Sequence, residues 1–213
     1  MEDVLEVYQR PYDPEYPVVC MDEANRQLIE EVRPSLPVQP GACKKVDYEY
    51  RRKGVVDFFM MFEPLTGQRQ VEVRDSRTRK DFAYCIKKPA DEYYPDCGKI
   101  VLVMDNLNTH SIASLYDTFP PEEALRLANR LEIHYTPKHG SWLDMAEIEI
   151  GIMSRQCLKG YLSDKDSVMA QLNAWVNERN SRSVSVNWQF TTSNARIKRK
   201  SCLLYTSPSP RDS

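Results

Sequence analysis

The chain has 213 residues, 41% apolar and 28% charged, enough for one well-buried domain of ordinary size. Its 29 basic and 31 acidic residues leave a net charge of −2, so bulk charge alone points to no polyanionic partner. No apolar run approaches the ~20 residues of a membrane span, the acidic start MEDVLEVYQRPYD lacks the apolar core of a signal peptide, and six scattered cysteines (Cys20, Cys43, Cys85, Cys97, Cys157, Cys202) without a CxxC pair argue against a zinc knuckle or disulfide framework.

YPVVCMDEA, residues 16–24, predicts a strand that ends at Asp22, and RQLIEEV, 26–32, a short edge strand after it. A Pro-rich connector, PSLPVQP, spans 34–40. Residues 54–76 predict two strands joined by a turn around Pro64–Gly67, on their β-branched and aromatic content. Residues 77–94 have helical spacing, with Pro89 expected to kink or end the helix near Lys88. KIVLVMD, 99–105, is the next strand, running from four apolar residues straight into Asp105. PPEEALRLANRL, 120–131, predicts a helix opened by proline and acids, as the helix dipole favours. EIHYTP, 132–137, predicts a short strand; 139–158 a loop then a helix; and 163–180 a helix that Ser163 can cap, with Val168, Leu172, Trp175 and Val176 on one stripe. The order predicts a mixed α/β domain, helices packed on a central sheet.

Basic residues cluster at Lys44, Lys45, Arg51, Arg52 and Lys53, at Arg69, Arg74, Arg77, Arg79 and Lys80, and from Arg179 through Arg182 and Arg196 to Lys198, Arg199 and Lys200. Each alone reads as a solvated face; three beside an acidic site point to a phosphate-bearing partner.

Asp22 and Asp105 each close an apolar run, and neighbouring strands of an open α/β sheet bring such groups into one crevice. Two carboxylates placed together repel unless a cation lies between them, and hard oxygen donors select Mg²⁺ or Mn²⁺. A third acid is wanted, and SWLDMAEIEIG offers Asp144, Glu147 and Glu149. Glu147 and Glu149 lie about 200° apart on a helix, so only one can face the site, whereas Asp144 and Glu147 share a face. The structural alternatives are a turn former or cap for Asp105 and a capping box at 141–147. Of the histidines, His110 can cap the loop, His134 alternates with apolar neighbours, and His139 lies in a loop near the third acid.

VVCMDE, VLVMDNLNTH and HYTPKHGSWLDMAEIEIGIMSRQCL together resemble the DDE transposases of the insertion sequence 630 family, the bacterial branch of the mariner-like superfamily, over roughly residues 1–200. The resemblance implies an RNase H-like catalytic domain over 1–200, with Asp22, Asp105 and Glu147 as catalytic, metal-binding acids holding two Mg²⁺ (or Mn²⁺) ions. It implies metal-dependent strand cleavage and strand transfer at transposon ends. The expected partners are transposon-end and target DNA, with a homodimer for the full-length protein and no membrane; the expected place is the bacterial cytoplasm and nucleoid. Lys44, Lys45, Arg51, Arg52, Lys53, Asn106, His110, His139, Arg196 and Lys198 are the candidate DNA contacts. VNWQFTT, 186–192, is similar to the family's closing segment.

Three departures stand out. Asp144 occupies a position where the family commonly has Asn. Met1 falls just ahead of the catalytic segment, so the family's helix-turn-helix region is expected to be missing. The tail CLLYTSPSPRDS looks like translated sequencing adapter, so 201–213 is left out of the expected fold. The rival expectations are an RNase H-like nuclease that cuts without joining, and a catalytically inactive, truncated DNA-binding remnant.

Overall fold

The structure, a computed structural model, describes residues 1–32, 49–107, 109–138 and 140–197. The connector at 34–40, Lys44, Lys45, His139, Lys198 and the tail at 201–213 lie outside the described residues.

Five strands, β1 (Val18–Glu31), β2 (Tyr50–Glu63), β3 (Gln68–Arg74), β4 (Ile100–Met104) and β5 (Leu131–Tyr135), form one sheet in the order β3-β2-β1-β4-β5. β1, β2 and β3 are antiparallel neighbours; β4 and β5 run parallel to β1. The helices are α1 (Glu2–Val7), α2 (Arg79–Lys88), α3 (Ala113–Thr118), α4 (Pro121–Asn129), α5 (Met145–Gln156) and α6 (Lys165–Ser181).

Strand alternation sorts the core into two layers. Val18, Cys20, Val101, Val103, Phe58, Met60 and Phe62 point to one face, where α1, α5 and α6 pack. Val19, Met21, Phe59, Met61, Leu102 and Met104 point to the other, covered by α2, α3 and α4. β4 is buried on both sides, which is why IVLVM reads as an unbroken apolar run. Each fully buried aliphatic or aromatic side chain contributes roughly 1.5–3 kcal/mol. Among the described residues no helix is long and apolar enough to cross a membrane.

The β2–β3 turn at Pro64–Gly67 forms as predicted, closed by the Gly67 N–H on the Glu63 carbonyl (2.9 Å). Gly67 has φ +73°, and a Cβ there would lie 2.6 Å from the Val184 carbonyl carbon. The helix over 77–94 ends at Lys88 and continues as one π turn, Pro89–Tyr93, since Pro89 has no N–H to continue the ladder. Thr78 caps α2, in a capping box with Asp81.

Two expectations need correction, and two short helices were not foreseen. β1 does not stop at Asp22; residues 26–32 continue it past a bulge between Leu28 and Ile29 instead of forming a separate edge strand. No Gly or Pro interrupts 18–31, and β2 pairs along nearly all of it. The acidic start, to which the sequence assigned no element, forms α1, which buries Val4, Leu5 and Val7. α3 was not foreseen. And α6 is capped by Asp164, which accepts from the Ser167 N–H (2.8 Å), rather than by Ser163. The predicted stripe of Val168, Leu172, Trp175 and Val176 is buried.

Candidate active site

Register sets the first two acids beside one another. Met21 pairs with Met104 where β1 and β4 run parallel, and the next residue on each strand is Asp22 and Asp105. Adjacent strands lie ~4.8 Å apart. Both acids continue the alternation of Cys20 and Val103, so they belong to the face that α5 covers. Asp22 sits within β1, opposite Met60 of β2, while Asp105 stands just past the end of β4.

α5 supplies the others. Its N-cap is Asp144, whose Oδ1 accepts the Ala146 N–H at 2.9 Å. Met145, Ala146, Ile150 and Met153 bury one face and fix its rotation. That rotation leaves Glu147 exposed in the first turn and turns Glu149 into the protein, where it pairs with Arg69 Nε (3.2 Å) and Arg179 Nη2 (2.8 Å). Glu149 is therefore a structural ion-pair partner. Arg69 is 1% exposed, lies over the Phe62 ring, and donates to the Val184 carbonyl (2.8 Å).

The electrostatics tie the acids together. Burial, helped by the charges of Asp105, Glu23 and Glu147, pushes the Asp22 carboxyl up to about 6, against one hydrogen bond from the Glu23 N–H. Burial pushes Asp144 well above the usual carboxylate range, and the charges of Asp22, Asp105 and Glu147 add to it. Among the described residues, no group of three or more His, Cys, Asp or Glu side chains is arranged so that it could hold a metal ion as it stands. The donor set still suits a hard divalent cation: Asp22, Asp105, Glu147 and Asp144 offer carboxylates only, they repel one another, and Asp144 Oδ2 is buried with no hydrogen-bond partner among the described residues.

His110 is not a surface contact. It is 1% exposed, its Nδ1 lies 2.5 Å from Asp105 Oδ1, and its Nε2 bonds Glu23 Oε2. The ring stacks on Phe82 (4.9 Å between centroids), and its carbonyl accepts the Tyr135 hydroxyl (3.1 Å). Burial works against a charged ring, but the hydrogen bonds to Asp105 and Glu23 outweigh it and raise His110 to about 9. At neutral pH it is an imidazolium donating to both acids. Glu23 had no role assigned from the sequence, because its partner lies 87 residues away.

The basic clusters are partly spent on internal pairs. Besides Arg69 and Arg179, Lys53 pairs with Glu30 (2.9 Å), Arg79 with Asp117 (2.9 Å), Arg182 with Glu178 (2.8 Å) and Arg196 with Glu2 (2.7 Å). Arg51, Arg52 and Asn106 are exposed. His134 bonds Asp3 (2.8 Å) and Glu132 (2.9 Å), away from the acids.

Solved structures share this architecture. A Mos1 mariner paired-end complex with Mg matches at TM-score 0.58 and 16% identity, over 86% of this chain and 56% of that one. The Mos1 strand transfer complex matches at TM-score 0.57 and 15% identity, over 85% of this chain and 54% of that one. The isolated catalytic domain of Mos1 transposase matches at TM-score 0.52 and 13% identity, over 85% of this chain and 86% of that one. The chain thus spans little more than half of the longer Mos1 chains. At these identities the likeness shows the fold, a mixed five-stranded sheet flanked by helices in the RNase H-like manner. No curated protein sequence matches the chain. The profile of the DDE superfamily endonucleases matches residues 17–169, the stretch from the start of β1 into α6 that carries all four acids. On that match the chain belongs to the DDE superfamily endonuclease family.

Proposed function

We propose that residues 1–200 are the catalytic domain of a transposase of the insertion sequence 630 branch, which cuts DNA at transposon ends and joins the freed ends to target DNA in the bacterial cytoplasm. The observation that carries this reading is the parallel register of β1 and β4, which sets Asp22 beside Asp105 on the face where α5 presents Glu147. Mos1 complexes with transposon ends, and in a strand transfer state, support the substrate class.

Asp22, Asp105 and Glu147 would hold Mg²⁺ or Mn²⁺, two ions in all. Bound there, such ions supply Lewis-acid stabilisation of the phosphate and a more acidic attacking water or hydroxyl. The chain's own residues position. His110 holds one oxygen of Asp105 in place, leaving the other for the site. The Glu149 pairs with Arg69 and Arg179 lock α5, and so the direction of Glu147. Exposed cations such as Arg51 and Arg52 hold phosphates without reading bases. In cleavage, water oxygen bonds to phosphorus as the bond to the leaving 3′-oxygen breaks. In joining, that freed 3′-hydroxyl attacks a target phosphodiester, whose own 3′-oxygen leaves.

The test is nicking of a labelled transposon-end duplex with Mg²⁺ or Mn²⁺, and strand transfer from pre-cut ends. Nicking is expected from the parent and only background from Asp105→Ala. Equal nicking by Asp105→Ala would overturn the assignment of the acids. Nicking without any joined product would replace the transposase with a plain nuclease.

A further inference from the structure

Asp144 is a buried acid of the site to which the reaction above gives no part. As the N-cap of α5 it uses only Oδ1, which accepts the Ala146 N–H. Asn or Ser would cap the helix as well without carrying a charge inside. Its second oxygen, Oδ2, is buried and accepts no hydrogen bond among the described residues, and the residue is 1% exposed. The neighbouring hydroxyl does not serve it: Tyr8 donates to the Leu143 carbonyl (2.6 Å) and stands 3.4 Å from Cys20 Sγ. What does reach Asp144 is negative charge, from Asp22, Asp105 and Glu147. The ring of His110 is bound to Asp105 and Glu23 instead.

We propose that Asp144 is a fourth carboxylate of the cation site, with Oδ2 its donor atom and a hard divalent ion its ligand. This rests on the reading of Asp22, Asp105 and Glu147 as the cation-binding acids. A fourth anionic oxygen deepens the site's negative charge and favours small divalent ions over monovalent ones. It also gives Oδ2 a partner that no group among the described residues supplies.

Mn²⁺ titration, followed by the electron paramagnetic resonance signal of the free ion, separates the possibilities. The samples are the parent, Asp144→Asn, Asp144→Ser and Asp105→Ala. Both Asp144 variants keep a capping oxygen, so helical content and the unfolding midpoint should hold close to the parent's. Mn²⁺ binding should nevertheless weaken about tenfold or more in each. A helix cap alone would leave the affinity unmoved. Parent-like affinity in Asp144→Asn, or in Asp144→Ser should the first fail to fold, overturns the proposal while Asp105→Ala shows lost binding. Undiminished binding in Asp105→Ala, or none in the parent, overturns the three-acid reading and this inference with it.

Discussion

A buried imidazole between two carboxylates is favoured in its protonated form, and His110 sets a ring nitrogen on each of Asp105 and Glu23, whose hydrogen bonds raise it to about 9. Removing the ring frees Asp105 to rotate and strands the Glu23 side chain, itself 5% exposed. His110→Ala is therefore expected to lower metal-dependent nicking about 10- to 100-fold, read in single-turnover assays, with Mn²⁺ affinity falling alongside. Nicking at the parent rate would show that Asp105 needs no such support. Asp22 and Asp105 stood out in the sequence as acids that each close an apolar run, although Asp22 lies within β1 and only Asp105 stands past the end of its strand. His110 was legible as a residue but not in its role. Its spacing from Asp105 suggested a loop cap or a DNA contact, and nothing local could reveal that Glu23 closes on it from β1.

At the scale of elements, α5 decides which acid faces the site. The sequence left Asp144, Glu147 and Glu149 as alternatives, and periodicity could only separate Glu147 from Glu149. The family resemblance pointed to Glu147, and what occupies Glu149 is its pairing with Arg69 on β3 and Arg179 on α6, both distant in the chain. Glu149→Ala leaves two guanidinium groups facing each other beneath the helix. Breaking a buried pair in this way costs about 3–5 kcal/mol, measurable by urea unfolding. A loss below about 1 kcal/mol would mean that apolar packing alone holds α5. The turn at Gly67 makes a sharper demand. An alanine there meets the Val184 backbone at 2.6 Å and must hold a left-handed φ, so Gly67→Ala should lose at least about 1–3 kcal/mol. The β2–β3 hairpin, α2, α4 and β4 were readable because each carries its own start and stop signals. α1 and α3, six residues each, were not, since so short a helix is held by tertiary burial instead of local propensity. The length of β1 was missed for a related reason: its half-buried second part reads as polar, though β2 supports it throughout.

For the whole molecule, sheet order matters more than any single strand. With β1 central, β4 parallel beside it and α5 laid on the shared face, residues 22, 105, 144 and 147, scattered over most of the chain, act on one another's charge. The basic clusters were less faithful guides, because charge counted along a sequence does not tell an internal ion pair from a phosphate contact. Arg69 and Arg179 are cases of the first. The central claim is that the carboxylates from β1, β4 and α5 share a bound divalent ion. Fe²⁺ with ascorbate tests it most directly, because an iron held in that place generates hydroxyl radicals that cut the nearby backbone. Fragments are expected to end close to residues 22, 105 and 147 together, suppressed by excess Mn²⁺ and absent in Asp22→Asn. Cleavage at only one of these segments, or cleavage that Mn²⁺ leaves unchanged, would contradict it.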